Sequence, residues 1–218
     1  RQDTDVLIID ASKGFVKEGT NNKLRTSDIK RIADTVAYRQ ETPKFSRLVS
    51  QDEIRENDYN LNIPRYVDSS DAPETWDIYS SMFGGIPKNE LSELEPYWEA
   101  FPGLREALFT ETSADHVEVV DSDLKDLIAN HKSVSDFKAR YADAFSGFSR
   151  GLRTRLLEEI EDIDISKEQD ALSRQIFERL TPVPLIDQYQ AFQLLSDKWE
   201  DIELDLEMIQ TEGFETAR

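Results

Sequence analysis

The last third of the chain carries the pattern that most narrows its fold. Tyr189, Phe192, Leu195, Trp199, Ile202, Leu206 and Ile209 recur at three- and four-residue spacing, the period at which one face of an α-helix comes round. At 1.5 Å per residue this stripe marks a helix of roughly 35 Å. Two others precede it: Phe145, Phe148, Leu152, Leu156, Ile160 and Ile163, then Leu172, Ile176 and Leu180, with Pro182 and Pro184 separating the last two helices. Amphipathic stripes of this length bury against one another, so the chain from about Ser122 predicts antiparallel long helices or a helical bundle. Trp199, Ile202, Leu206 and Ile209 are the candidate partner interface on the longest helix, and the alternative is that they are core.

Charge divides the chain. Of 26 Lys and Arg and 45 Asp and Glu in 218 residues, residues 1–70 hold 12 of each, so the whole net charge of −19 falls in 71–218. A surface so charged repels phosphate. Direct nucleic-acid contact is therefore expected in the first third, and a protein partner or plain solubility in the rest. Acidic runs such as Glu158-Glu159-Ile160-Glu161-Asp162 lack the spacing of a calcium loop and read as solvated helix faces. Arg150, Arg153 and Arg155, with Lys138 and Arg140, form the basic cluster of the acidic part, suited to pairing with neighbouring acids or, alternatively, to contact with nucleic acid or an acidic partner.

The first third reads as mixed α/β. Val6-Leu7-Ile8-Ile9 is a continuous β-branched apolar run, expected of a strand buried on both faces. Its best partner is Arg47-Leu48-Val49, and the intervening segment is long enough for a helical crossover, giving a βαβ-like unit. Thr26 or Ser27 can cap that helix, and Ile29, Ile32, Ala33, Val36 and Ala37 form its apolar stripe. Lys13 to Lys23 reads as a polar loop. Ser50 and Glu53 fit a capping box that starts a short helix carrying Ile54. Asp68 to Glu74, polar and with Pro73, is the expected boundary. Beyond it, short helical pieces are punctuated by Pro87, Pro96 and Pro102; Trp76, Tyr79, Met82 and Phe83 form one face, and Val117 to Val120 a short strand.

Asn57-Asp58-Tyr59-Asn60-Leu61-Asn62-Ile63-Pro64-Arg65-Tyr66-Val67 fits neither period. Asn57, Asn60, Asn62, Arg65 and Tyr66 are candidates for contact with nucleic acid or another domain, through base edges, phosphate and a ring face. The competing reading is that the Asn side chains satisfy an irregular backbone. Asn62-Ile63-Pro64-Arg65-Tyr66 is superficially similar to the N-P-P-Y/F motif of N6-adenine methyltransferases. Ile63 replaces its first Pro and Arg65 intrudes before the aromatic, so it is not a catalytic motif.

Several functions lack their residues. The chain has no Cys, and His116 and His131 have no neighbour at a metal-ligand spacing. No apolar run approaches the roughly 18–20 residues of a membrane span, and no signal peptide opens the chain; a soluble cytoplasmic protein is expected. Asp10 ends an apolar strand, but no glycine-rich phosphate loop accompanies it. The opening Arg1-Gln2-Asp3 points to a piece of a longer chain.

Asp5 to Ser12, Leu24 to Ile32 and, most specifically, Glu56 to Val67 resemble the late catalytic-domain segments of the modification subunit of type I restriction–modification systems, an N6-adenine DNA methylase family. Weaker likeness extends through Gly84 to Phe109 and around Asp187 to Trp199. The resemblance implies a parent enzyme that transfers a methyl group from S-adenosylmethionine (SAM) to adenine N6 of DNA, within a complex of specificity and restriction subunits. It supplies no catalytic, cofactor or metal residue here, because the glycine-rich and N-P-P-F-type motifs have no counterpart in this chain. The expectation is a mainly α chain with a small α/β N-terminal remnant: 1–70 as the tail of a SAM-dependent catalytic domain, and 71–218 as an acidic helical region for subunit assembly. A stand-alone acidic adaptor or DNA mimic is the alternative.

Overall fold

A computed structural model describes residues 5–70, 77–120, 123–160 and 162–213. The chain is mainly α with a small α/β N-terminal part. It divides into two compact units, Arg1–Pro73 with Tyr189–Lys198, and Glu74–Gln188 with Trp199–Arg218.

In the first unit, β1 (Val6–Ile9) is followed by an exposed hairpin of β2 (Val16–Glu18) and β3 (Asn21–Lys23). This hairpin replaces the expected polar loop. Gly19, at φ 64°, opens its two-residue turn in the left-handed region that such turns use. Helix α1 (Thr26–Tyr38) leads to β4 (Ser46–Val49). Strand β4 is the expected partner of β1, but it runs antiparallel, with Val6 opposite Val49 and Ile9 opposite Ser46. No βαβ unit forms.

The reason lies in how α1 faces. A crossover helix packs its apolar stripe on the sheet, whereas here Ile29 is 55% and Val36 56% exposed, and Ser27 and Thr35 are buried instead. The cap differs too. The N-cap position is Arg25, which has no acceptor side chain; Asp28 takes its backbone N–H at 2.9 Å. The N–H of Ser27 donates to Gln193 Oε1 at 2.9 Å, an acceptor supplied from 166 residues away. Tyr189 donates its hydroxyl to Asp34, and Arg31 lies over the rings of Phe45 and Tyr189. The packed side of α1 is therefore polar and aromatic.

Helix α2 (Gln51–Glu56) starts as expected: Ser50 Oγ accepts from Glu53 N–H at 3.1 Å. The Glu53 carboxylate does not close a capping box, because both its oxygens take Arg47, at 2.8 and 2.9 Å. Ile54 joins Ile8, Val49, Tyr66 and Val67 in the core of this unit.

In the second unit, α3 (Ile78–Phe83) is capped by Asp77, and β5 (Ile86–Pro87) follows two left-handed glycines. Helices α4 (Lys88–Ser92), α5 (Glu95–Ala100) and α6 (Leu104–Leu108) are short, with Pro96 in the first turn of α5. Strands β6 (Phe109–Glu111) and β7 (His116–Val119) form an antiparallel three-stranded sheet with β5, in the order β5-β7-β6. The expected strand at Val117 is present. Trp76, Ser122 and the expected boundary at residues 71–74 lie outside the described residues.

The expected Phe145–Ile163 stripe is not one helix. After α7 (Leu124–Asn130), α8 (Lys132–Ala144) ends before Gly147 at φ 72°, and α9 (Phe148–Arg153) continues into a π-helical turn, Thr154–Glu158. That turn carries Arg155, whose Nη1 reaches both oxygens of the buried Glu168 at 2.8 and 2.9 Å. The basic cluster is thus partly spent on structure. Helix α10 (Ile165–Leu180) buries Leu172, Ile176 and Leu180, as its stripe predicts, and α11 (Gln188–Glu212) is the last described helix. Gln210 Nε2 holds the end of α11 to the carbonyls of Ile160 and Ile163 at 2.6 and 2.7 Å.

Leu172→Ala is expected to cost about 2–5 kcal/mol in urea unfolding, since it leaves a cavity among buried side chains. Ile29→Ala, on the exposed face of α1, is expected to change stability by less than about 0.5 kcal/mol.

Candidate functional site

The segment 57–67 begins as a helix end. The N–H of Tyr59 bonds the carbonyl of Ile54 at 2.9 Å, and the N–H of Asp58 bonds that of Arg55 at 3.0 Å. These two bonds are the six-to-one and five-to-two pair of a Schellman motif. The residue after such a cap adopts left-handed backbone and is usually Gly. Here Asp58 (φ 54°) and Tyr59 (φ 57°) both lie in that region, a strained pair of L-residues. Sequence period does not show this, although Asp at the first of the two positions is among the residues that tolerate it best.

Side chains then lock the loop. Asn57 Nδ2 donates to the Glu53 carbonyl at 3.0 Å, and its Oδ1 accepts from Arg65 Nη1 at 3.3 Å. Asn60 Oδ1 accepts from Asn62 N–H at 3.0 Å. The Tyr66 hydroxyl donates to the Asn60 carbonyl at 2.7 Å. A 3-10 turn, Ile63–Arg65, holds Pro64. Tyr66 is 4% exposed, so its ring packs in the core and presents no face to a base. Asn57 and Asn60 serve this loop's own backbone. Asn62 and Arg65 lie at the surface, and Tyr59, 68% exposed, is the aromatic the loop displays. Its side chain hydrogen-bonds Arg55.

The second predicted set is turned inward. Trp199 and Leu206 are buried in the second unit and Ile202 and Ile209 are half-buried. A stripe dense enough in apolar residues to bind a partner is equally able to fill its own core, and here it does so. The apolar residues α11 leaves outside in this unit are Leu204 and Met208. The sequence signal for them is their position off the main stripe.

Titratable groups cluster modestly. Asp10, at the end of β1, accepts from Ser12 N–H at 3.0 Å; the hydroxyls of Ser12 and Ser69 hold its carboxyl below the usual range. It is a strand-end cap. Asp77 accepts from the Ser80 hydroxyl at 2.6 Å and lies 2.7 Å from His116 Nε2. These contacts, Ser80 first, then His116, hold its carboxyl far below the ordinary 3.8. Among the described residues no cluster of three or more His, Cys, Asp or Glu could hold a metal. Each unit has an open cleft, of about 320 Å³ beside Lys44, Arg47 and Asp68 and about 630 Å³ beside His131, Lys132 and Arg140. Arg47 in the first is committed to Glu53, and Lys132 in the second pairs with Asp136. No described helix is long and apolar enough to cross a membrane.

The family model described as N-6 DNA Methylase matches residues 1–75. Over that segment the chain is similar to the N-6 DNA methylase family. Its relatives there are methylase subunits of type I restriction enzymes. The MpnII methylase subunit of Mycoplasma pneumoniae is 37% identical over 73 residues, 34% of this chain and 13% of that protein. The MjaVII methylase subunit of Methanocaldococcus jannaschii is 35% identical over 95 residues, 41% of this chain and 16% of that protein. The crystal structure of a type I restriction-modification system methyltransferase subunit from Streptococcus thermophilus matches at 47% identity and a TM-score of 0.31. That match covers 32% of this chain and 15% of the other. The matches to these relatives thus span 13–16% of their lengths.

Asp58→Gly is expected to raise stability by about 0.5–1 kcal/mol in urea unfolding, because relief of the left-handed strain exceeds glycine's entropic cost. Tyr66→Phe is expected to lower it by about 0.5–1.5 kcal/mol through the lost hydroxyl bond. A carboxyl held low in the folded state stabilises fully above its unfolded pKa, and that contribution fades as pH falls through the folded value. Thermal melting between pH 5 and 2 should therefore show Asp77→Asn losing less stability on acidification than the parent chain.

Proposed function

We propose that this chain is the C-terminal portion of a type I restriction–modification adenine-N6 DNA methyltransferase subunit. In this reading residues 1–70 close a catalytic domain that uses SAM, and 71–218 form an acidic helical region for assembly. The parent methylates adenine in DNA, in a complex with a specificity subunit and a restriction subunit; DNA is reached through that complex, in the cytoplasm. The cofactor and catalytic motifs belong to parts of the parent outside this segment.

The observation that carries the reading is the N-6 DNA Methylase match over residues 1–75. Local geometry supports it. Strand β1 is paired on one edge, by β4, in a two-stranded sheet. A sheet that small is marginal alone, and a methylase sheet would extend it. The outward residues Ile29 and Val36 of α1 offer a second surface for such a domain. The net charge of −19, all within 71–218, favours a protein partner there over direct DNA contact.

Titration calorimetry of this chain with SAM is expected to show no binding. Stoichiometric binding would overturn the assignment of the cofactor site to another part of the parent.

A further inference from the structure

All six strand residues of the β2–β3 hairpin in the first unit are exposed. A lone two-stranded hairpin is marginal in water, so one left uncovered is suited to meeting another molecule. Its register sorts its side chains. Val16 lies opposite Lys23 and Glu18 opposite Asn21 on one side, and Lys17 lies opposite Asn22 on the other. Glu18, the acid of the hairpin, pairs with Lys23 at 3.3 Å on the first side. The second side therefore carries no carboxylate of its own. It presents Lys17 and Asn22, and one residue beyond the strand ends the same alternation adds the exposed Phe15 and Leu24. The side chains of Lys17 and Asn22 make no hydrogen bond or ion pair among the described residues. Residues 12–25 hold four basic residues and one acid, in a chain whose net charge is −19.

We propose that the Lys17 side of this hairpin lies on the DNA duplex that the parent enzyme methylates, as a sequence-neutral contact. Lys17 meets a backbone phosphate, Asn22 donates its amide N–H groups to phosphate or sugar oxygens, and Phe15 and Leu24 pack against the sugars. A two-stranded ribbon is narrow enough to enter the major groove, and contacts of this kind position a protein without reading sequence. Charge selects this occupant. The Lys17 side offers a cation with no acid beside it, whereas 71–218 carries all the negative charge and repels phosphate. The inference rests on the methyltransferase reading given under Proposed function and adds a DNA contact made by this chain itself.

The test is fluorescence anisotropy of the full chain with a short labelled DNA duplex, titrated at several salt concentrations. Saturable binding that weakens with salt is expected. Lys17→Glu should weaken it about tenfold. Lys17→Ala should flatten the slope of log affinity against log salt by about one, the share of one phosphate contact. Lys17→Arg should bind as the unaltered chain does. So should Lys125→Ala, which removes the same charge from the second unit. Absence of saturable binding overturns the proposal, as does a salt slope that Lys17→Ala leaves unchanged. A second arm measures methyl transfer to adenine in DNA by the full parent subunit assembled with its specificity subunit. Transfer that Lys17→Glu leaves intact at raised salt sinks the hairpin contact and leaves the methyltransferase reading. No transfer by the unaltered assembly sinks that reading, while duplex binding that depends on Lys17 still supports the hairpin contact.

Discussion

A polar seam decides how the first unit is built. Helix α1 begins at Arg25, which offers no capping oxygen, so its first turn depends on Gln193 of α11 to accept the Ser27 N–H. An orphan N–H at a helix start needs an acceptor or water, and a side chain on a distant helix supplies it. Once that bond and the Tyr189–Asp34 contact are made, the rotation of α1 is set. Its polar face lies inside and its apolar stripe outside. The antiparallel β1–β4 pair follows, because an α1 turned this way does not serve as a crossover helix lying on the sheet by its apolar face.

The loop at 57–67 has a related economy. Its asparagines hold one another, the backbone and Arg65, while Tyr66 closes the loop from the core. Such a network makes a stiff surface out of residues that look chemically reactive in sequence. The strain in it sits at Asp58 and Tyr59, and it raises Tyr59 into solvent beside Arg55. The backbone of this stretch is demanding, since each of several side chains has a defined partner.

Parts of both units were legible residue by residue. Leu172, Ile176 and Leu180 are buried as their spacing requires, Ser50 starts α2, and the strand at Val117 forms. The long stripe ending at Ile163 reads as continuous in the sequence, because apolar spacing survives a break at Gly147 and a π-helical turn that shifts register without changing composition. The hairpin at Val16 to Lys23 is not legible in the sequence because its strands are three residues each with every residue exposed, so no alternation marks them. For the candidate site, the sequence located the loop and the helix. It could not tell which side chains were turned inward.

Sequence alone determined the helical character of the second part, the uneven charge and the similarity of residues 1–75 to a methylase family, because periodicity, composition and local identity are properties of neighbouring residues. Tertiary structure decided orientation. It put α1 polar side inward, made β4 antiparallel, buried Tyr66, Trp199 and Leu206, and left Ile29, Leu204 and Met208 outside. An amphipathic stripe states that one face will be covered; only the partners it meets in three dimensions, some of them 166 residues away, determine which face and by what.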